Sequence, residues 1–203
     1  MKILIYFITL FIFSTFTFAC DNKNSDINFN NKENNMNNDN MPNNPKYAYF
    51  SSGCFWGVEY WFEKAEGVFS AISGYAGGHK ANPTYIEVCT GLTGHLETVK
   101  VGYDADKTTY EDLIKLFFET HNFTQKNGQG PDIGSQYLSA IFYQNEEEKE
   151  IAEKYINILK EKGFDVATTL REFKNFYEAE DYHQDYYSKK GSIPYCHFYN
   201  KIF

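Results

Sequence analysis

Cys54 is the residue of this chain best placed to act as a nucleophile. It lies between Gly53 and two large aromatic residues, Phe55 and Trp56, and Gly57 follows them. Apolar residues recur at helical spacing beyond this stretch, which places Cys54 at or near the N-terminus of a helix. Free backbone N–H groups and the helix dipole stabilise a thiolate there, and the thiolate is the reactive form. The flanking glycines favour a reactive thiol over a small buried side chain that only fills a gap.

Glu97 is the second residue whose surroundings indicate chemistry. Alternation along the predicted strand from Leu96 puts its side chain on the same face as Val99 and Val101. A carboxyl buried on an apolar face has a raised pKa, so it could remain protonated near neutral pH and act as an acid. The alternative is a structural glutamate bonded to the backbone or to an arginine. Arg171 is the only arginine in the sequence, which makes that pairing less expected.

The sequence contains four cysteines: Cys20, Cys54, Cys89 and Cys196. None of them forms a CxxC pair, so a structural zinc site and a thioredoxin-type redox motif have no support. Cys20 ends an apolar N-terminal run, described below, that suits a signal peptide; if it carries a lipid, three cysteines remain in an exported domain. Three thiols cannot all pair, and at least one must therefore be free or in transient exchange.

The elements that must hold these residues alternate between strands and helices. The predicted strands are 47–50, 68–75, 96–103, 137–143 and 166–170. The predicted helices are 54–66, 108–120, 146–162 and 178–189, and Thr108 with Glu111 fits a capping box. A Gly-rich loop is expected over 74–84, a polar loop over 121–134 and an irregular tail from Gly191. Mixed elements without strict βαβ repetition favour an α+β, two-layer sandwich with a mixed sheet, related to ferredoxin-like folds.

Residues 1–20 have the pattern of a signal peptide. The run from Ile3 is almost wholly apolar, is short for a membrane span, and ends at Ala19-Cys20. This end resembles the cleavage site of bacterial lipoproteins, in which the cysteine becomes the lipid-modified first residue. Thr17 and Phe18 depart from the usual site. An uncleaved anchor and an ordinary signal peptide cut nearby are the alternatives.

Residues 21–45 are predicted to form a disordered tether, since twelve of the 25 are asparagine and the few apolar residues have no period. A flexible coil of this length spans about 25–30 Å and would hold a domain clear of a membrane. Residues 46–203 suit one domain with a sizeable core. The net charge of −8 provides no basic surface, so nucleic acid is not an expected partner.

Eight ordered motifs resemble those of the A-type peptide methionine sulfoxide reductases, over essentially residues 46–196. They are Gly53-Cys54-Phe55-Trp56-Gly57, Gly74-Tyr75-Ala76-Gly77-Gly78, Asn82-Pro83-Thr84-Tyr85, Val88-Cys89, Thr93-Gly94-His95-Leu96-Glu97, Gln129-Gly130-Pro131-Asp132-Ile133-Gly134, Gln136-Tyr137 and Ala179-Glu180-Asp181-Tyr182-His183-Gln184. The departures are Leu92 and Leu138 where arginine is usual, and Asn122-Phe123 in place of Asp-Pro.

The resemblance implies reduction of the S epimer of methionine sulfoxide, free or in proteins, and hence repair after oxidative stress. Cys54 attacks the sulfoxide sulfur, and a protonated Glu97, helped by the hydroxyls of Tyr85 and Tyr137, donates to the oxygen. Without the resemblance, either tyrosine would more often be an ordinary core or surface residue. No metal or organic cofactor is expected.

The resemblance also assigns the substrate contacts. Phe55 and Trp56 would hold the ε-methyl group of the substrate, and Asp132 would orient the site. Plain core aromatics and an aspartate bonded to its own turn are the alternatives for these three residues.

The resemblance further implies that Cys54 becomes a sulfenic acid, which a second thiol converts into an intramolecular disulfide. Cys196, in a tail with glycine and proline, is the candidate, whereas Cys89 is expected to pack as a small apolar side chain. Direct attack by the reductant is the alternative. Thioredoxin or a thioredoxin-like dithiol would restore the enzyme, and we expect a monomer.

Two other classes of function remain open from the residues. The first is a different thiol enzyme, an acyl transferase or hydrolase that uses Cys54 with His95 or His183. The second is a non-catalytic lipoprotein with Cys54 merely packed and an aromatic pocket that binds a ligand. Rapid alkylation by iodoacetamide at mildly acidic pH would argue against the second.

Overall fold

The structure, a computed structural model, describes residues 41–203. The predicted signal peptide, Cys20 and residues 21–40 of the predicted tether lie outside the described residues. No helix between residues 41 and 203 combines the length and the apolar character that a membrane crossing requires.

Strands and helices alternate along the described chain. The strands are β1 (Pro45–Ser52), β2 (Val68–Ala76), β3 (Leu96–Asp104), β4 (Gly128–Gln129), β5 (Asp132–Ile133), β6 (Ser139–Tyr143), β7 (Thr169–Glu172) and β8 (Phe176–Glu178). The α-helices are α1 (Phe55–Glu63), α2 (Tyr85–Cys89), α3 (Tyr110–Glu119), α4 (Glu146–Glu161) and α5 (Tyr186–Lys190). Short 3-10 turns cover Ser135–Tyr137 and Asp181–His183.

Six strands form one sheet in the order β7-β6-β1-β3-β2-β8, and β4 pairs with β5 separately. The pairs within the large sheet are antiparallel except β6 with β7, which is parallel. One face carries the main core, where buried residues of α1, α3 and α4 pack on the strands. A smaller apolar cluster, which includes Tyr49 and Phe142, occupies the other face and is covered by Phe173 and Phe176. The predicted α+β fold with a mixed sheet is confirmed.

Strand alternation explains how the two faces separate. Phe50, Val99 and Val101 belong to the main core, while Tyr49 and Leu96 belong to the smaller cluster, as period-two side chains on β1 and β3 require. β3 lies between β1 and β2 in the sheet, and the two apolar clusters cover its two faces, so nearly every residue of β3 is buried. The helical face of β3 is therefore an apolar setting for any polar group it carries.

The helix starts differ from the prediction by small shifts with a physical cause. In α3 the capping box is formed by Thr109 and Asp112, not by Thr108 and Glu111. Both registers offer a hydroxyl followed three residues later by a carboxyl, and the sequence does not rank them. Helix α2 is not predicted from the sequence, although Thr84 forms a complete capping box at its start with the glutamate three residues later. Its five residues are too short for a helical period to show.

The predicted helix over 178–189 is wrong. Glu178 instead pairs with Gly74 in the sheet, and only Tyr186–Lys190 form an α-helix. Asp185 interrupts any longer helix because its φ is +53°, in the left-handed region. The strand predicted over 137–143 begins two residues later in the structure, because Tyr137 ends a 3-10 turn and β6 starts at Ser139.

Candidate active site

Cys54 lies in a tight turn between the end of β1 and the start of α1. Gly53 makes the turn possible with a φ of +103°, which side-chain-bearing residues rarely adopt. The Cys54 carbonyl accepts hydrogen bonds from the N–H groups of Gly57 and Val58, at 3.1 and 3.4 Å, which start the helix. The side chain is 8% exposed. The predicted position of Cys54 at a helix N-terminus is thus observed.

Burial raises the pKa of the Cys54 thiol well above its ordinary value, and the charges of Glu97 and Cys196 raise it further. The backbone N–H of Trp56 lowers this pKa, but its effect is smaller than that of burial. The expected thiolate of the resting protein is therefore wrong. One N–H group at a helix start does not offset burial beside acidic neighbours. The resting site holds Cys54 as a thiol.

Glu97 projects from β3 against the start of α1 and is 1% exposed. Its Oε2 accepts a hydrogen bond from the Phe55 N–H at 2.9 Å, while Oε1 is buried without a hydrogen-bond partner. Burial raises the pKa of Glu97 to about 8, so the carboxyl is protonated at neutral pH. Because Oε2 accepts an N–H, the proton belongs on Oε1, where it is available to another acceptor.

Tyr85 and Tyr137 stand near this carboxyl. Burial raises the pKa of both phenols, and the charge of Glu97 is the next largest cause for each. Both hydroxyls therefore keep their protons and can donate. Tyr85 is fixed by Glu180, which accepts from the Tyr85 N–H and from the Tyr75 hydroxyl, both at 2.9 Å. The structure thus brings the two predicted tyrosines to Glu97.

Phe55 and Trp56 occupy different depths. Phe55 is 1% exposed and packs against Tyr85 and His183, so it forms the floor of the site. Trp56 is half-buried, stacks on Tyr186 with ring centroids 3.7 Å apart, and donates its indole N–H to His183 Nδ1 at 3.1 Å. Trp56 is therefore held rigidly from two sides with part of its surface open.

The C-terminal tail returns to the turn that carries Cys54. The tail from Gly191 contains no helix or strand, as predicted, but Cys196 is only 4% exposed. The Gln129 amide donates to the Cys196 carbonyl at 3.1 Å, and the Tyr195 hydroxyl donates to Asp132 Oδ1 at 3.0 Å. Burial and the charge of Asp132 raise the pKa of Cys196 to about 12. Asp132 thus binds the tail as well as facing the site.

Cys54, Cys89 and Cys196 form no disulfide in the described chain. The charge of Cys196 is among the causes that raise the pKa of Cys54, which places the two thiols near each other. Cys89 ends α2, and its charge acts on Tyr85 and Tyr137. Cys89 is therefore also near the site, and its expected packing role remains a prediction.

The histidines that an acyl-transfer mechanism would use are engaged elsewhere. His95 accepts from the Gly78 N–H and bonds to the Lys80 carbonyl, and His183 is bonded to Trp56. Within residues 41–203, no hydrogen bond joins Cys54 to a histidine. A Cys–His nucleophile pair at Cys54 therefore has no geometric support.

Sequence reasoning missed several side chains that shape the site: Gln129, Glu180, Tyr186 and His197. Glu180 and Gln129 lie in quoted motifs, so the motifs contained them without indicating a role. Tyr186 lies two residues after the last quoted motif, and His197 directly follows Cys196. A position next to a motif or a site residue in the sequence does not predict which side chain will stack or form a hydrogen bond.

The described residues include one group of acidic side chains close enough to hold a cation. Ligand atoms of Glu59, Glu63 and Asp185 lie within 4.8 Å of one another, between α1 and the start of α5. Burial raises the pKa of Glu59 to about 8. A protonated Glu59 can share its proton with a neighbouring carboxylate, so the cluster does not require a cation.

Comparison with known proteins gives a consistent result. The family model described as peptide methionine sulfoxide reductase matches residues 46–202. A peptide methionine sulfoxide reductase MsrA of Natronomonas pharaonis is 49% identical over 152 residues, covering 73% of this chain and 85% of that protein. An MsrA of Acinetobacter baumannii is 50% identical over 151 residues, covering 74% and 87%.

Solved structures agree. The reduced form of Mxr1 from Saccharomyces cerevisiae has a TM-score of 0.72 and 33% identity, and the match covers 79% of this chain and 94% of that one. Methionine sulfoxide reductase A of Corynebacterium diphtheriae has a TM-score of 0.67 and 36% identity, with coverage of 76% and 78%. The family match, the relatives and the fold lead to one conclusion: this chain belongs to the peptide methionine sulfoxide reductase family.

Proposed function

We propose that this protein is a thiol-dependent oxidoreductase that reduces the S epimer of methionine sulfoxide, free or in proteins, and so repairs oxidised proteins. The observation that carries the proposal is the link between Cys54 and Glu97. The N–H of the residue after the nucleophile binds Oε2 of a buried, protonated carboxyl, and the other oxygen of that carboxyl has no partner. The nucleophile and the acid are thus fixed relative to each other by one hydrogen bond.

The first chemical step transfers the sulfoxide oxygen to the enzyme. Cys54 attacks the sulfoxide sulfur, and the oxygen ends on the Cys54 sulfur as methionine is released, so that thiol plus sulfoxide becomes sulfenic acid plus thioether. Glu97 donates its Oε1 proton to the oxygen as negative charge develops there, and the thiol proton of Cys54 replaces it. Tyr85 and Tyr137, whose pKa values are raised, donate hydrogen bonds to the same oxygen.

Substrate recognition depends on the open surface of Trp56. The sulfoxide methyl gains by leaving water against the indole, above the floor made by Phe55. The stack on Tyr186 and the bond to His183 keep the indole in place. Asp132, through its bond to Tyr195, fixes the neighbouring wall.

These contacts explain selectivity for one epimer. The oxygen must reach Glu97, the methyl must reach Trp56, and the sulfur must face Cys54. With these three contacts fixed, exchanging the oxygen and the lone pair on sulfur turns the oxygen away from the acid. The opposite epimer then loses the proton donor.

The epimer assay tests this function. With dithiothreitol as reductant, the purified protein should turn over methionine S-sulfoxide and leave the R epimer unchanged. Equal rates with both epimers, or no methionine from either, would reject the proposal.

Recycling uses Cys196 and an external dithiol. Cys196 attacks the sulfenic sulfur of Cys54, and the resulting disulfide is reduced by thioredoxin or a thioredoxin-like protein. Mxr1, the yeast relative, is described in a complex with Trx2, which supports this partner. We further propose that the protein acts as a monomer. Light scattering of the purified protein that gives twice the chain mass would contradict the monomer.

The sequence of residues 1–45 supports an exported, membrane-anchored lipoprotein that faces the periplasm or the cell exterior. Cys20 would carry the lipid, and the Asn-rich segment would separate residues 46–203 from the membrane. Mass spectrometry of the mature N-terminus should find a lipid-modified Cys20. A product that begins at another residue would reject the anchor.

A further inference from the structure

His197 forms a buried hydrogen bond with the recycling thiol. Its Nδ1 lies 3.1 Å from the Cys196 Sγ, and His197 and Cys196 are 1% and 4% exposed. Three contacts fix the pair: the Gln129 amide on the Cys196 carbonyl, the Trp61 indole on the His197 carbonyl at 3.4 Å, and the ring contact described next.

The other ring nitrogen determines which proton moves. His197 Nε2 lies 2.7 Å from the Ser52 carbonyl oxygen, which can only accept. Nε2 therefore carries a hydrogen. Burial lowers the pKa of His197 to about 4, so the ring is neutral and Nδ1 has a lone pair. The Cys196 thiol is consequently the donor, and His197 Nδ1 is the acceptor.

The imidazole is also part of the turn that holds Cys54. A Cβ atom on Gly57 would lie 2.2 Å from His197 Nδ1, and one on Gly53 would lie 3.5 Å from Cε1. Gly57 thus leaves the space that the ring fills, whereas the distance from Gly53 is an ordinary van der Waals contact. This places the acceptor between the strand end, the start of α1 and the second thiol.

We propose that His197 is a catalytic residue of the disulfide-forming step, in which it orients the Cys196 thiol and accepts its proton. This inference rests on the proposed function, which supplies the Cys54 sulfenic acid. As the Cys196 S–H bond breaks, its sulfur bonds to the Cys54 sulfur and the Cys54 S–O bond breaks. The departing hydroxide takes a proton to become water, and His197 returns to neutral. Cys196 is oxidised, Cys54 is reduced, and sulfenic acid plus thiol gives disulfide plus water.

The need for an acceptor follows from the surroundings of Cys196. Burial, Asp132 and Glu97 all hold its pKa up, so almost no thiolate exists at neutral pH. Asp132 is the rival acceptor, since it also bonds with the thiol. However, Asp132 is already engaged by Tyr195, whereas Nδ1 of His197 has Cys196 as its bonding partner. A second imidazole, that of His121, lies near enough for the charge of His197 to lower its pKa, but both of its nitrogens are bonded to other groups.

The experiment separates the two steps of one turnover. The reduced full chain is mixed with one equivalent of methionine S-sulfoxide and quenched at a series of times with an alkylating agent in denaturant, which exposes the buried thiols. Chromatography measures methionine, and peptide mass spectrometry measures the Cys54–Cys196 disulfide. His197→Ala should release methionine but form the disulfide about 10²-fold more slowly. This factor is the lower end of the usual contribution of a general base, because the neutral, buried His197 ring is a weak base. Added imidazole should restore the rate in His197→Ala and leave wild type unchanged.

Phe198→Ala, an exposed neighbour in the tail, is the matched control and should form the disulfide at the wild-type rate. An unchanged rate in His197→Ala, a lack of imidazole rescue, or slowing only in Asp132→Asn would overturn the inference. Absence of methionine from wild type would instead reject the proposed function. If His197→Ala does not fold, the ¹⁵N spectrum of the wild-type histidines decides. A hydrogen on His197 Nδ1 rather than Nε2 would overturn the inference as well.

Discussion

The two thiols of the site, Cys54 and Cys196, are both buried and both have raised pKa values, yet they stand beside opposite chemical partners. Next to Cys54 is Glu97, a protonated acid whose free oxygen can give a proton. Next to Cys196 is His197, a neutral ring whose lone pair can take one. The first step of the reaction needs a proton delivered, and the second needs one removed.

The two thiols also differ in how they are held. Cys54 lies in a strand-to-helix turn, where backbone hydrogen bonds and a left-handed glycine fix it. Cys196 lies in an irregular tail that side chains such as Gln129 attach to the domain. Backbone geometry therefore fixes the nucleophile, whereas side-chain hydrogen bonds hold the second thiol.

Cys54→Ser should have the largest effect, because a hydroxyl without a nearby base is too weak a nucleophile. We expect no measurable methionine from methionine S-sulfoxide, in either single or multiple turnover. Appreciable residual activity would mean that Cys54 is not the attacking group.

Cys196→Ser should abolish cycling with thioredoxin but keep one stoichiometric release of methionine per chain. The reason is that the sulfenic acid still forms but has no second thiol to condense with. Cys89→Ser is the comparison variant, and we expect it to keep thioredoxin-driven cycling. Loss of cycling in Cys89→Ser alone would transfer the recycling role to Cys89.

Glu97→Gln should slow methionine release by about 10²–10⁴-fold, the usual contribution of a general acid. In wild type the acid is protonated below its pKa of about 8, so its contribution should fall as the pH rises through that value. An amide side chain does not titrate in this range, and the variant should therefore lose this limb of the pH–rate profile. A near wild-type rate would make Glu97 structural.

Glu97→Gln also tests how the Glu97 carboxyl affects the reactivity of the Cys54 thiol. Above about pH 8, where Glu97 is ionised, its charge raises the pKa of Cys54, so Glu97→Gln should lower that pKa and speed alkylation by iodoacetamide in this pH range. Resting wild-type Cys54 should react slowly at mildly acidic pH, because it is a buried thiol. Slow alkylation therefore does not argue against catalysis, contrary to the sequence-based expectation.

Gly57→Ala should have the smallest effect on the first step and a measurable one on stability. The added methyl would meet the His197 ring at 2.2 Å and force it to move, at about 1–3 kcal/mol of unfolding free energy. Glu66→Ala, on the exposed surface after α1, is the control. Denaturant unfolding measures both variants, and equal stability would mean that the ring relocates without strain.

The sequence alone predicted most of the fold and the centre of the site. The helical period after Cys54 and the alternation around Glu97 placed both residues correctly, because each pattern spans several residues of one element. The helix over 178–189 failed because pairing of Glu178 with Gly74 is a long-range contact with no local signal. The pKa of Cys54 was predicted in the wrong direction, because burial depth depends on the whole fold. The His197 contact depends on where the tail returns, and no local pattern contains that.

Peptide mapping after a single turnover tests the central claim most directly. The reduced protein would receive one equivalent of methionine S-sulfoxide and no other reductant, and the remaining thiols would then be alkylated in denaturant. We predict one methionine per chain, a disulfide between Cys54 and Cys196, and an alkylated Cys89. If methionine forms but Cys54 is recovered in the alkylated form, and so was still a free thiol after the turnover, the account is contradicted.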